Sequence, residues 1–267
     1  MNTQDVAVIT VAERLQRLNG YDVSPESAFM PRSASFGLTQ ADDAAETSSA
    51  SVAGGAILTF VSGMTEQNKA DIRHSYLFSS LVASKQFPKD NQGKEWYFKF
   101  LEVMQDCGWA IVRKNYSSEV ASGKSFKMDQ LVLKILGSVV AAAALPGPAS
   151  ALMLKVAGDA IASLETSEKP LQVFDRNVIE TGNGGFGVGS CHENPDGEVI
   201  LALGTVRYIK RTNNTKVLFV NWDSSSVDLY KGESYLTMVP SLVEKTRAIV
   251  LGKLGDRVVR NIEQYEI

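Results

Sequence analysis

The chain is short of the residues that make chemistry easy to place. Among its 267 residues are only two cysteines and two histidines. Cys107 and Cys191 allow one bridge at most and exclude a disulfide scaffold, and two His with two Cys make no recognisable zinc set. A basic field is lacking too: 27 Lys and Arg stand against 30 Asp and Glu, a net charge of -3. The cations are scattered, so no broad surface exists for releasing counterions from a phosphate backbone, and nucleic acid is not an expected partner. No apolar run reaches the ~20 residues that a membrane-spanning helix needs. The opening "MNTQDVAVITVAERLQRLNG" has no basic residue before its short apolar stretch, which ends at Glu13 and Arg14, so it does not read as a secretory signal. The expectation is synthesis in the cytoplasm of the producing cell, as a soluble protein.

What is present is ordinary globular material. Apolar residues make up 44% and charged residues 21%, enough to bury a core in a chain of this length. Three segments are expected. In 1–55, Val8, Val11, Ala12, Leu15 and Leu18 recur at helical spacing before Gly20, and "PRSASFGLTQADDAAETSSASVAGG" then lacks the large apolar side chains that repay ordering entropy, so it reads as an arm. Asp42, Asp43 and Glu46 within it read as solvated charge.

In 56–170 the period is mainly helical. Thr65 caps a predicted helix carrying Ile72, Tyr76, Leu77 and Leu81 that ends before Pro88. A second predicted helix starts near Lys94, carries Tyr97, Phe100, Leu101 and Met104, and stops at Gly108. Its aromatic group, Trp96, Tyr97, Phe98 and Phe100, could serve an interfacial belt or a sugar platform, but core packing is the simpler use. "WAIVRKNY" reads as a strand.

In 171–267 the period shifts toward strands. "LQVFDRNVIE", "GFGVGSCHE", "EVILALGTVRYIKR", "TKVLFVNWD", "SVDLY" and "SYLTMV" are β-rich runs separated by turn-forming residues. Close spacing predicts antiparallel pairing, and "KVLFVNW", apolar on both alternating faces, is expected to be a central strand. A capping-box pattern from Ser241 to Glu244 opens a last helix, weakened at Gly252 and Gly255. The fold class expected is α+β: a helical first part containing an apolar hairpin, then an antiparallel β-sheet and a C-terminal helix.

Motifs that suggest catalysis do not stand up in context. Gly182, Gly184 and Gly187 have dinucleotide-loop spacing, but no helix opens at the third glycine; the kinase alternative, with Lys210, lacks H-R-D and D-F-G elements. "SEVASGKS" ends in Gly123, Lys124 and Ser125 like a phosphate loop, yet has Ser118 where glycine is needed. Cys191 and His192 are neighbours in a predicted strand, so they point to opposite faces. No catalytic residue, cofactor site or metal site is assigned.

The remaining feature is "LVLKILGSVVAAAALPGPASALMLKVAGDAIASL", 131–164, two apolar arms around Pro146, Gly147 and Pro148. Each arm, ~15 residues and ~22 Å as helix, falls short of a ~30 Å hydrocarbon core. Lys155, Asp159 and Ser163 form a polar stripe suited to a soluble bundle, whereas Val139 to Leu145 carries no polar side-chain atom. The hairpin resembles, in a general way, the insertion hairpins of α-helical pore-forming toxins and colicin-type domains. That likeness covers the hairpin alone and implies a membrane-acting, pore-forming or membrane-disrupting protein, released and assembling as a homo-oligomer on a target membrane lipid or receptor. Val139, Val140, Leu145 and Leu152 would then touch the membrane. The alternatives are a non-enzymatic structural or binding module that forms homo-oligomers, and a phosphoryl-transfer enzyme built around Lys124.

Overall fold

The computed structural model describes residues 9–23, 47–120, 123–180, 184–210 and 218–267. Helix α1 (Val11–Gly20) opens on a reciprocal cap, in which the Glu13 amide donates to Thr10 Oγ1 and the Thr10 amide donates to the Glu13 carboxylate at 2.8 Å. Strands β1 (Ser49–Ala53) and β2 (Ala56–Phe60) follow and pair with each other across Gly54, which turns at φ +56°. This corrects two expectations, because β1 falls in the predicted arm and β2 in the predicted helical segment. Every residue of β2 is buried, so it has no polar face to create an alternating pattern, and the Ala and Ser side chains of β1 fit where packed elements leave little room.

Helix α2 (Glu66–Gln86) is capped by Thr65, whose hydroxyl accepts from the Asn68 amide, and it ends before Pro88 as expected. Helix α3 (Gly93–Asp106) and strand β3 (Trp109–Glu119) also match the reading of the sequence. Gly108 joins them at φ +109°, a conformation that side-chain-bearing residues avoid. After the short strand β4 (Ser125–Lys127) come α4 (Met128–Ala143) and α5 (Ala149–Thr166), the two arms of the apolar hairpin.

"LQVFDRNVIE" is a helix, α6 (Glu168–Glu180), not a strand. Val173, Phe174, Asn177 and Val178 are buried at helical spacing, and Pro170 sits in the first turn, where an amide would lack an intrahelical partner anyway. Strands β5 (Gly185–Glu193) and β6 (Val199–Lys210) form as predicted. The run ending "LFVNWD" is not a central strand: its described part holds only the three-residue strand β7 (Asn221–Asp223), paired with β4 in a separate two-stranded sheet. Its apolar side chains are satisfied differently, with Leu218 and Trp222 buried in the core. "SVDLY" and "SYLTMV" are one strand, β8 (Val227–Met238), continuous through Gly232. Helix α7 (Pro240–Leu254) starts on Pro240 instead of the expected Ser241 cap, and breaks at Gly255. A short helix α8 (Arg257–Asn261) and a strand β9 (Ile262–Glu266) replace its predicted continuation.

The molecule is thus mixed α and β, around a seven-stranded sheet in the order β3-β8-β6-β5-β2-β1-β9. Neighbours are antiparallel except β2 and β5, which run parallel, so the sheet is mixed and draws strands from all three predicted segments. Strand alternation divides the core in two. Ile57, Val188, Ile200 and Ala202 face one cluster with α4, α5 and α6; Leu58, Cys191, Leu201 and Leu203 face the other with α2, α3 and α7.

Candidate binding groove

At one end of the sheet, on the α3 side, three strands bring polar and aromatic side chains to one face. In the register, Tyr230 of β8 stands between Ser118 of β3 and Arg207 of β6, while Gly232 stands between Tyr116 and Thr205. Residues paired across strands share a face, so Tyr116, Ser118, Arg207 and Tyr230 all point toward α3. Gly232 is required there: a Cβ would meet Tyr97 Cδ2 at 2.8 Å, because the Tyr97 ring lies over the bare backbone. Gly93 at the start of α3 has the same role, since a Cβ there would come within 2.6 Å of Arg207 Cδ and Tyr116 Oη. Both glycines let α3 sit down on the strands.

The rings form a continuous series. Tyr97 and Tyr116 have centroids 5.3 Å apart, Tyr116 and Tyr230 6.0 Å apart with planes within 8°. The Arg207 guanidinium lies 5.0 Å over the Trp96 ring, and the Trp96 indole donates to Ser84 Oγ. Most of the α3 aromatics are core, as expected: Tyr97 and Phe100 are buried, and Trp96 stacks on Phe100.

Behind Tyr76, Trp96 and Tyr97 lies an apolar slot of ≈ 20 Å³, room for about one water and nothing larger. In front, a recess of ≈ 440 Å³ is lined by Lys94, Tyr116, Ser117, Ser118, Arg207 and Tyr230 among others. It shares Ser118 and Tyr230 with a second recess of ≈ 380 Å³, which continues past Glu119, Ser224, Ser225 and Asp228. Together they make one groove with Lys94 and Arg207 at one end and Asp228 at the other, where the Glu119 carboxylate is paired with Lys231 at 3.2 Å and with Lys134 of α4 at 3.8 Å. Burial pushes the Tyr116 and Tyr97 phenols up to about 12, so at neutral pH they remain protonated and can donate hydrogen bonds rather than act as bases.

The residues singled out in the sequence are not brought together. Val139 (3% exposed) and Val140 (0%) face the sheet inside the core, Leu145 packs partly buried against the same cluster, and Leu152 is 36% exposed. Lys124 has β4 between it and α4, so the helix opens at Met128 instead of immediately after the glycine-lysine pair, and no helix N-terminus faces a phosphate there. The Lys124 carbonyl accepts from the Ser224 amide at 3.1 Å. Gly184 and Gly187 lead through the turn at Asn194 to Gly197 into β6, a strand-turn-strand. Gly182, the Lys210 side chain and the acidic trio Asp42, Asp43 and Glu46 lie outside the described residues. Cys107 and Cys191 are free and fully buried, which pushes both thiols up, away from the reactive thiolate. Cys191 and His192 do point apart, for Cys191 belongs to the α2 and α3 core while neighbouring Ser190 donates to the Met153 carbonyl of α5.

Among the described residues no group of three or more His, Cys, Asp or Glu is placed to hold a metal ion, and no helix is long and apolar enough to cross a membrane. Charged groups elsewhere are structural. Asp71, 3% exposed, is held by Arg247 through two hydrogen bonds of 2.8 and 2.7 Å, and Lys69 is buried against Glu66. Reading the sequence missed Tyr116, Arg207 and Tyr230 as a set. The only local hint was Tyr116 followed by two serines in "NYSS"; nothing in the sequence near Arg207 or Tyr230 ties them to it.

No protein-family model, curated protein or solved structure matches the chain.

Proposed function

We propose that the protein is a non-enzymatic binding module that holds a small polar ligand in the groove between α3 and the end of the sheet. One observation carries this reading: two recesses of ≈ 440 and ≈ 380 Å³ join through Ser118 and Tyr230, a size within the ~300–1,000 Å³ of small-ligand sites. The chemistry supports binding over catalysis. The larger recess is lined by phenols, hydroxyls, an amide and two cations, and its described lining includes no imidazole, thiol or carboxylate to act as nucleophile or base. Ligand should therefore raise the melting temperature without being consumed, by RT ln(1 + [L]/Kd). A panel of polar small molecules read by thermal shift tests this. The reading requires a hit whose effect disappears in Tyr230→Ala, and a panel that leaves wild type and variant alike refutes it.

A second reading, a membrane-acting protein, draws on the apex of the hairpin. Ala142, Pro146, Pro148 and Leu152 are exposed there with no charged side chain among them. Deeper insertion would require α4 and α5 to leave the sheet, exposing the apolar face they cover. Dye release from liposomes by the wild type, lost in Leu152→Asp while the fold is retained, would favour this reading over the groove. Homo-oligomerisation by edge pairing has little support, since edge strand β3 exposes Arg113 and Lys114 and carries a register shift beside Arg113.

A further inference from the structure

We infer that the free edge of β3 docks an extended acidic segment of another protein as one more strand, an inference independent of the groove and its ligand. Strand β3 ends the seven-stranded order and has β8 as its sole strand neighbour among the described residues. Arg113, Lys114 and Asn115 are exposed in succession. Arg113 and Asn115 face the α4 side and Lys114, like Tyr116, the α3 side, so neither helical layer covers the middle of the strand. An edge in this state offers its outer backbone groups as a template for a further strand. Val112 to Asn115 line neither recess of the groove.

Charge selects the partner. Arg113 and Lys114 make no ion pair among the described residues. The carboxylates beside them are already held: Glu119 by Lys231 and Lys134, and Glu233 by the Asn115 side-chain amide at 2.8 Å and the Ser138 hydroxyl. Arg113 acts on Glu233 only at longer range, and Lys114 Nζ stands 5.6 Å from the centroid of the Phe98 ring, itself 37% exposed. The edge thus carries two cations, one toward each face, with no strand opposite them. Adjacent acidic residues in an added strand also point to opposite faces, so an Asp-Glu pair meets both cations at once.

Other occupants fit less well. A second copy of β3, paired antiparallel about its centre, sets Lys114 against Lys114, and like charges directly opposite are destabilising. A nucleic acid draws its affinity from the neutralisation of many phosphates, whereas this strand offers two cations. The register shift beside Arg113 also limits where the added strand lies, because Val112 drops out of the ladder there. From Arg113 to Glu119 the pairing with β8 is regular, a length of ~23 Å at ~3.3 Å per residue, which suits a strand of ordinary size.

Amide shift mapping of the isotope-labelled full chain tests this with defined probes. The first is a capped peptide of alternating Thr and Val around a central Asp-Glu pair. The others are its Lys-Lys counterpart, the acidic peptide with alternate amides N-methylated so that it cannot pair, and a heparin hexasaccharide. The acidic peptide should shift the Arg113, Lys114 and Asn115 amides, and the Lys-Lys and N-methylated peptides should leave them in place. Reversing both charges in Arg113→Glu/Lys114→Glu should weaken the acidic peptide about tenfold, and the milder Lys114→Gln, which keeps the test if the double variant misfolds, about threefold. Equal binding by the N-methylated peptide means charge without strand pairing, and equal shifts from heparin mean a general polyanion surface. Shifts of the same amides with protein concentration alone mean self-pairing. Each of these overturns the inference, as does no response to the acidic peptide, and none of them bears on ligand binding in the groove.

Discussion

Replacing Val140 with Asp tests what the hairpin is for. Val140 is 0% exposed and belongs to the cluster of Leu136, Met153, Ala157, Ile200 and Ala202 that joins α4 and α5 to the sheet. A carboxylate placed there is buried without a partner, at a cost of at least about 3–5 kcal/mol, against a total stability of about 5–15 kcal/mol. For a chain of this size each kcal/mol moves the melting temperature by about 2–4 °C, so a fall of about 6–20 °C is expected. Ala142, two residues along the same helix, is exposed. Ala142→Asp should cost about 1 kcal/mol or less, from helix propensity and an unfavourable charge near the helix C-terminus. Thermal unfolding followed by circular dichroism compares the two variants with wild type. Equal melting of Val140→Asp and Ala142→Asp would refute the placement of α4 as a core layer, and would reopen the hairpin as an element held in reserve.

Three further perturbations probe other parts of the fold. Burial holds His74 neutral, lowering it from 6.5 to about 4, so the unfolded chain binds the extra proton between those values. Stability is then full above about pH 6.5, falls by up to about 3 kcal/mol as pH drops toward 4, and levels below. His74→Gln should flatten that limb of a pH series of urea midpoints in part, the remainder coming from His192, which burial lowers as well; an unchanged slope would contradict the placement. At Gly108, φ is +109° and a Cβ would sit 2.7 Å from the Val243 amide nitrogen. Gly108→Ala should therefore cost about 2 kcal/mol or more, and a neutral result by urea unfolding would mean that α7 does not pack on this turn. The two cysteines should resist a thiol reagent in the native protein and react with two equivalents in denaturant, so rapid native labelling would contradict their burial.

Elements with one wet face were legible in the sequence. Helices α1 and α3, strand β3 and the apolar hairpin show periodic apolar stripes or clear stops at Gly20, Gly108 and Pro146. Burial on both faces hid two strands, although β5 and β6, buried almost as completely, were readable as long β-rich runs between turn residues. Strand β2 offers no alternation to read, and β1 is built from Ser and Ala that look like linker until neighbours cover them. Helix α6 was misread because Val173, Phe174, Val178 and Ile179 score as β-formers, although Leu171, Phe174 and Val178 already stand at the i, i+3, i+7 spacing of one helix face. The groove was illegible for a different reason. Tyr116, Arg207 and Tyr230 are far apart in the chain, and only the register of β3, β8 and β6 places them on one face.

The groove itself is tested most directly by backbone amide shift mapping of isotope-labelled protein against a panel of small polar molecules. Binding there predicts that the perturbed amides cluster at Lys94, Ser117, Ser118, Arg207 and Tyr230, with Val139, Val140 and the hairpin apex silent. Perturbations confined to the apex around Leu145 and Leu152, or none anywhere in the presence of the panel, would contradict it.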